Sequence, residues 1–444
     1  MELNGKKTVV LGLGISGMQA ATFLRSKGAD VLVRDNGESA ALRERASTLA
    51  GDGICTELGA DVADTADFDL AVLSPGIPLR APLVTNLTAA GVPVIGELEL
   101  AARDCACPMV AVTGTNGKTT TTELIAAALR VAGRRTGVAG NIGTAFTQAV
   151  AESDALDAMV LEVSSFQLEA TREFRPGVSV MLNLTPDHLD HHASLEEYRA
   201  AKMRIFHNQT EDDVAVVNAE LELPADVRAR VVRFSAYGRD ADYTLADGTL
   251  LARGEPVMKQ EETNLFGLHN AENLLAALAA VEAMGADRAA AVGAFRAYRP
   301  QPHRCEPVGD VNGVRYLNDS KATNIDALDK ALLSMTRPVV LIAGGKDKGL
   351  DFAPLTKLVG ERCRHVLLTG ETAPKLMELW GQAFDCERCD DLAAAVARAR
   401  ELARPGDIVL YSPGCSSFDA YANYAERGNH FRRLVEELAA KETN

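Results

Sequence analysis

At 444 residues, 47% apolar and 24% charged, the chain is too long for one ordinary core and has the profile of a soluble globular protein of two to four domains. A formal net charge of −15 argues against nucleic-acid partners, which need a basic face, and means that an anionic substrate must be met by local cations. No apolar run approaches the ~20 residues of a membrane span.

The first strand pattern, from Lys7 to Gly12, starts without a signal-peptide region. The eight cysteines are scattered, as expected of free thiols in a reducing cytosol, so a cytoplasmic protein is expected. Cys386 and Cys389 have zinc-knuckle spacing, but no second pair follows and no metal is expected there.

In chain order, one grammar recurs: a β-branched run, a glycine turn, then a helix-period segment, the mark of parallel α/β architecture. The first series is "KTVVLGLGISG", "ADVLVRD" and "FDLAVLSPG", fading near residues 97–106. Its opening turn is G-x-G-x-x-G, with Asp35 closing the next strand. Read bare, that is a dinucleotide fingerprint, which makes an NAD-dependent dehydrogenase one reading. The physics requires only a diphosphate at a helix N-terminus and a polar group near its ribose. UDP satisfies both as well as NAD does.

The second series runs through "PMVAVTG", "AMVLEVSS", "VSVMLNLT" and "DVAVVNA", then short alternating segments over about 230–260, then the helix "HNAENLLAALAAVEAMGA". The third follows the linker "YRPQPHRCE" and contains "VRYLNDS", "PVVLIAGG", "HVLLTG" and "DIVLYSPG". We therefore expect three α/β domains: Rossmann-like N-terminal (1–96) and C-terminal (302–444) domains flanking a larger P-loop-type domain (97–301).

The central turn carries the chemistry. Gly114-Thr-Asn-Gly117-Lys118-Thr119 ends as a P-loop does, but Val112 stands where the first glycine belongs. Backbone N–H groups at a strand-to-helix turn form an anion cradle. Lys118 can then reach the β- and γ-phosphates, and Thr119 can offer its hydroxyl to Mg²⁺. The bland alternative is a chance G-K-T in a loop. Glu162 lies in an apolar strand, where a carboxylate calls for a metal or a lysine. His188 follows the next strand, and with Thr119 and Glu162 it could hold two Mg²⁺ ions; a salt-bridged Glu162 and a surface histidine are the plain alternatives. His188 and His192 are four apart, but Pro186 and the preceding strand argue against the continuous helix that a zinc pair would need.

The loop Gly114–Thr119 without its first glycine resembles that of the Mur ligases and the related folylpolyglutamate synthetases. The resemblance covers the whole chain, with the motifs in the family's order. It implies ATP contacts at Gly114, Thr115, Asn116, Gly117, Lys118, Thr119 and Thr120, and at Asn273 of "FGLHNAENLLAALAA"; His269 and Asn270 could equally be capping residues. It implies that Lys202 of "YRAAK", otherwise an ordinary lysine, is carbamylated beside the second magnesium. Thr119, Glu162, His188 and Lys202 are thus the implied metal set, and Lys118, His188 and Lys202 the implied catalytic residues. Gly14, Ile15, Ser16, Asp35, Asn36, Ser74, Pro75 and Gly76 match UDP-binding positions, and Asn141 a substrate- or phosphate-contacting asparagine.

The third-domain motifs "LNDSKATN", "GGKDKGLDF" and "SPGCSSFDAYANY" match the branch of the family that adds D-glutamate. They imply amino-acid contacts at Thr323, Lys348, Ser417, Phe418 and Tyr424, and ATP contacts at Arg304 (beside His303), Asp319 and Lys321. Tyr424 stands where phenylalanine is common. The implied activity is ATP-dependent amide formation between UDP-N-acetylmuramoyl-L-alanine and D-glutamate through an acyl phosphate, by a monomer, for cytoplasmic peptidoglycan synthesis. The rivals are another amide ligase of the superfamily, the dehydrogenase, and a non-enzymatic ATP-binding scaffold.

Overall fold

The computed structural model describes residues 2–59, 68–187, 192–300, 302–335, 337–347 and 349–442. His188 and Lys348 lie outside them. The chain forms two compact units, Met1–Thr263 with Ala271–Tyr298, and Asn264–Asn270 with Arg299–Asn444. Three mixed α/β layers make them up, two sheets in the first unit and one in the second.

The first sheet is parallel, in the order Cys55–Leu58, Asp30–Asp35, Lys7–Leu11, Leu70–Leu73, Val94–Gly96. The chain starts in the middle strand and winds outward both ways, so the strand order reverses between Lys7–Leu11 and Leu70–Leu73. Helices leave from the two strands on opposite sides at such a point, which opens a crevice at the carboxyl ends. Val9, Val10, Leu11 and Val72 are wholly buried, as expected of parallel strands covered on both faces. The strand Cys55–Leu58 is an addition to the sequence reading; its residues are only half covered and give no apolar run.

The nine-stranded sheet runs Glu255–Lys259, Thr249–Ala252, Tyr243–Ala246, Arg230–Ser235, Val214–Asn218, Val178–Met181, Met109–Thr113, Ala158–Glu162, Thr136–Gly140. It is parallel from Thr136–Gly140 to Tyr243–Ala246 and ends in an antiparallel meander. The meander's turns place Asp247-Gly248 and Arg253-Gly254 at positive φ, the backbone that tight hairpins require. The short alternating segments of the sequence there are these strands.

Buried carboxylates join the first two sheets. Glu99 accepts from the backbone N–H groups of Arg172, Glu173 and Phe174 at 2.9–3.1 Å. Glu97 accepts from Thr147 N and Oγ1 at 2.6 and 2.8 Å. Both stand on the short helix Glu97–Ala102, where the sequence pattern had merely faded.

The third sheet runs Glu306–Val311, Val314–Asn318, Ile408–Tyr411, Val339–Ala343, Cys363–Leu368, Cys386–Arg388. Only its first pair is antiparallel. No helix among the described residues is long and apolar enough to cross a membrane.

Candidate active site

The strand Met109–Thr113 lies between Ala158–Glu162 and Val178–Met181, with Val112 in register with Glu162. Its carboxyl end turns through Gly114–Gly117 into the helix Lys118–Val131. Gly114 has φ 152° and Gly117 φ 86°, and an added Cβ would meet Leu182 Cβ at 2.9 Å and Asn273 Oδ1 at 2.2 Å respectively. Only glycine fits this turn. The backbone N–H groups of Thr115 and Asn116 are held by Asn183 Oδ1 at 3.1 and 2.9 Å, and Asn183 Nδ2 returns a bond to Asn116 O at 3.1 Å. Asn183 thus braces the loop, a role that the run "LNLT" did not disclose.

Two lysines meet at the loop. Lys118 Nζ donates to Gly114 O at 3.0 Å and Thr115 O at 2.8 Å; Lys202 Nζ donates to Gly114 O at 2.9 Å. Lys202 is buried, 2% exposed, and sits 4.7 Å from the Tyr198 ring centroid. Burial, and then the charge of Lys118, hold its ammonium well below the usual lysine range; Asp187 and Glu162 oppose them more weakly.

Glu162 closes its strand, 2% exposed. Oε2 accepts from Thr119 Oγ1 and Oε1 from Asn141 Nδ2, both at 2.8 Å. A buried carboxylate with neutral donors, one of them the hydroxyl after the P-loop lysine, suits a hard divalent cation with oxygen ligands. The glycine turn and Lys118 suit a polyphosphate. The structure therefore brings together Lys118, Thr119, Glu162, Asn141 and Lys202, leaving His188 outside the described residues. Thr120 is buried in the first helical turn. Asn273 lies beneath the turn, its Oδ1 accepting from Thr121 Oγ1 at 3.3 Å. Asn270 Nδ2 donates to Phe266 O at 2.9 Å.

At the first sheet, Gly12–Gly14 joins the strand Lys7–Leu11 to the helix Ile15–Ser26. Asp35 accepts from Leu13 N at 2.7 Å and Gly37 N at 2.8 Å, and Ser74 Oγ donates to Gly12 O at 2.9 Å. Ile15 and Asn36 are exposed, Ser16 and Pro75 half-buried, and Gly76 exposed at the end of the neighbouring strand. A small cleft lined in part by Ser74, Pro75, Gly96, Phe166 and Glu169 lies between this edge and the helix Ser165–Glu169 of the central sheet.

In the second unit, Asp319 Oδ2 accepts from Ser412 Oγ at 2.7 Å and Oδ1 from Cys305 N at 3.1 Å; burial pushes its carboxyl up to about 6. Lys321 Nζ lies 5.0 Å from the Tyr424 ring centroid, and the backbone at His303 has φ 70°. Ser417 is buried, Thr323 and Arg304 are half-buried, and Phe418 is 69% exposed.

Family models match the chain along most of its length: "Mur ligase MurD-like, N-terminal domain" over residues 6–96, "Mur ligase middle domain" over 112–281, and "Mur ligase, glutamate ligase domain" over 303–415. Curated relatives named UDP-N-acetylmuramoylalanine–D-glutamate ligase include those of Geotalea uraniireducens, 43% identical over 99% of both chains, and Geobacter metallireducens, 41% identical over 100% of both. Among solved structures, MurF from Acinetobacter baumannii superposes with TM-score 0.62 at 16% identity, covering 99% of this chain and 91% of that one. A pseudomurein peptide ligase type C from Methanothermus fervidus gives 0.61 at 17%, covering 98% and 100%. At such identities the structural likeness is one of fold.

Proposed function

This chain belongs to the Mur ligase family, and from that membership we infer that it joins UDP-N-acetylmuramoyl-L-alanine to D-glutamate with consumption of ATP, in peptidoglycan precursor synthesis. The observation that carries the reading is the buried Glu162–Thr119 pair at the mouth of a glycine turn gripped by Lys118 and Lys202.

A carboxylate and an amine do not condense in water, so the carboxylate must first be activated. The γ-phosphoryl group of ATP passes to the terminal carboxylate of the UDP-linked acceptor, giving an acyl phosphate and ADP. The unprotonated amine of D-glutamate then attacks the acyl carbon, and phosphate leaves. Gly114–Thr120 bind the polyphosphate, and Lys118 exchanges its loop carbonyls for phosphoryl oxygens, where a positioned cation lowers the barrier. Thr119, Glu162, His188 and Lys202 would hold the metal; Mg²⁺, when bound, would supply Lewis-acid shielding of the phosphoryl charge.

Lys202 suits carbamylation. The unprotonated amine is the form that takes up CO₂, and burial beside Lys118 favours that form. The carbamate would set an oxygen anion beside the loop at Gly114. The family resemblance assigns His188 to the same set, as a ligand or as a group that handles a proton.

We assign UDP recognition to residues 1–96, through Gly14, Ile15, Ser16, Asp35, Asn36, Ser74, Pro75 and Gly76, with Asn141 from the central domain. ATP is assigned to 97–301, with Asn273, and with Arg304, Asp319 and Lys321 from the C-terminal domain. D-glutamate is assigned to 302–444, through Thr323, Lys348, Ser417, Phe418 and Tyr424. A cytoplasmic monomer completes the reading. Phosphate release from ATP should require both the UDP-linked acceptor and D-glutamate, and the amide product should appear in equal amount. Release that ignores either substrate would refute the reading.

A further inference from the structure

His192 is fully buried, with Nε2 hydrogen-bonded and Nδ1 facing a carboxylate at ion-pair distance without hydrogen-bond alignment. Nδ1 lies 3.0 Å from Glu169 Oε1, and Nε2 lies 3.0 Å from Ser165 Oγ. Its ring stacks on Phe166 at 5.7 Å and tilts against Tyr198 at 5.2 Å. A histidine that only filled space would leave its nitrogens at a desolvation cost, and phenylalanine would serve better. His192 thus links two helices: its nitrogens face Ser165 and Glu169 of one, and its ring meets Tyr198 of the other.

The two helices are those of the site. Ser165 opens the helix Ser165–Glu169 three residues after Glu162, behind a capping box made by Ser164 and Gln167. On the other side, Ser194 caps the helix Leu195–Met203, and Glu197 Oε2 accepts from Ala193 N at 2.7 Å, closing the turn next to His192. Tyr198 and Lys202 are one turn apart on that helix and share a face. The Tyr198 hydroxyl lies 3.1 Å from Thr115 Oγ1 in the phosphate loop, while its ring carries Lys202 Nζ. Thr115 Oγ1 also donates to Thr185 O at 3.1 Å and accepts from Thr185 N at 3.0 Å.

We propose that His192 is a positioning residue for the phosphate and metal site, setting the spacing between the Glu162–Thr119 pair and the helix that presents Lys202. The proposal rests on the ligase reading above. His192→Phe keeps the ring contacts and removes both polar ones; Ser165→Ala and Glu169→Gln each remove one. Magnesium–nucleotide binding should be measured by calorimetry without acceptor or D-glutamate, alongside the Mg²⁺ dependence of turnover and each KM. Residues that orient metal ligands typically matter by ~10–100-fold, so His192→Phe should weaken magnesium–nucleotide binding and raise the half-saturating Mg²⁺ about tenfold, leaving the KM for D-glutamate unchanged. The double variant Ser165→Ala/His192→Phe should be no worse than His192→Phe alone, because the pair acts as one unit. His192→Gln, which retains a donor and an acceptor, should recover part of the loss.

Unchanged magnesium–nucleotide binding in His192→Phe, Ser165→Ala and Glu169→Gln would overturn the proposal. So would losses spread equally over every substrate together with a lowered melting temperature. If His192→Phe does not fold, Ser165→Ala and Glu169→Gln decide. A failed ligase reading would show in the wild type as absent amide product, whereas the calorimetric comparison needs no ligation.

Discussion

At the first sheet, a Cβ added to Gly14 would meet nothing within 4 Å; at the central sheet, one added to Gly117 would come within 2.2 Å of Asn273 Oδ1. Both glycines stand at a strand-to-helix turn, but for different reasons. Gly117 is required by the fold, with φ 86° and a neighbour already in place. Gly14 has φ −68°, a conformation open to any residue, so neither backbone nor packing within the chain demands glycine there. Just inside the helix that follows the first turn, packing demands glycine at Gly17, whose Cβ would lie 1.9 Å from Gly12 O. The turns differ in their bracing as well, although a cation, Arg45, also bonds the first turn, at Leu13 O (3.0 Å). Lysines bond the carbonyls of the central turn, while the first turn is braced by a carboxylate, Asp35, and a hydroxyl, Ser74. On the proposed function, the central turn would handle transferring charge and the first turn would hold a diphosphate that does not react.

The largest effect should come from removing the central cation. Lys118→Ala should cost roughly 10²–10³ in phosphoryl transfer, as loss of a positioned electrostatic group does. UDP-acceptor binding, measured by calorimetry, should stay near wild type. Near-normal turnover would erase the chemical distinction between the turns.

Lys202→Ala sharpens the same contrast. If its carbamate supplies a metal-organising oxygen, activity should fall about 10–100-fold with little change in folding, since the helix Leu195–Met203 accepts alanine well. The space left should admit acetate or propionate, which would restore part of the rate; a neutral amide of equal size should not. Equal failure of carboxylates and amides, or full activity without rescue, would return Lys202 to the role of an ordinary buried lysine.

Much of this was legible in the sequence, and the parts that were not share a cause. The strands before the two turns are buried on both faces and read as continuous apolar runs, and Glu162 stood out as a carboxylate inside one of them. Asn183, Tyr198 and His192 did not stand out as parts of the site. Their work is to hydrogen-bond or stack across 27 to 83 residues of chain, and an asparagine after a strand or a tyrosine on a helix gives no local sign of that. Glu97 and Glu99 were missed for the same reason: on a sequence they are the acidic first turn of a helix, and only the fold brings Thr147 and the backbone of Arg172–Phe174 onto them.

Gly14→Val tests whether the open space belongs to a ligand. The backbone tolerates valine there, so thermal stability should hold, ATP binding at the central turn should be intact, and UDP-acceptor binding should weaken severalfold. NADH titrated against the wild type should give no saturable fluorescence change; micromolar binding would reopen the dehydrogenase reading of this turn.

The smallest effect concerns Ser74, a residue on which loop and ligand roles converge. Its hydroxyl donates to Gly12 O in a buried setting, and Gly12 has φ 89°. Ser74→Ala leaves that carbonyl without its partner, a loss of about 1–2 kcal/mol. For a unit of this size, each kcal/mol corresponds to a melting-temperature drop of roughly 2–4 °C. If the hydroxyl acts on the loop, acceptor affinity should fall only modestly and in step with stability, because the turn relaxes and its amide groups lose their aim. If it acts on the diphosphate directly, affinity should fall far more than stability does. ATP binding should be unchanged in either case, since no bond of the central turn runs through Ser74 among the described residues. A Ser74→Ala variant that lost ATP affinity would show that the two turns are coupled through the unit they share, and that the comparison between them describes one site rather than two.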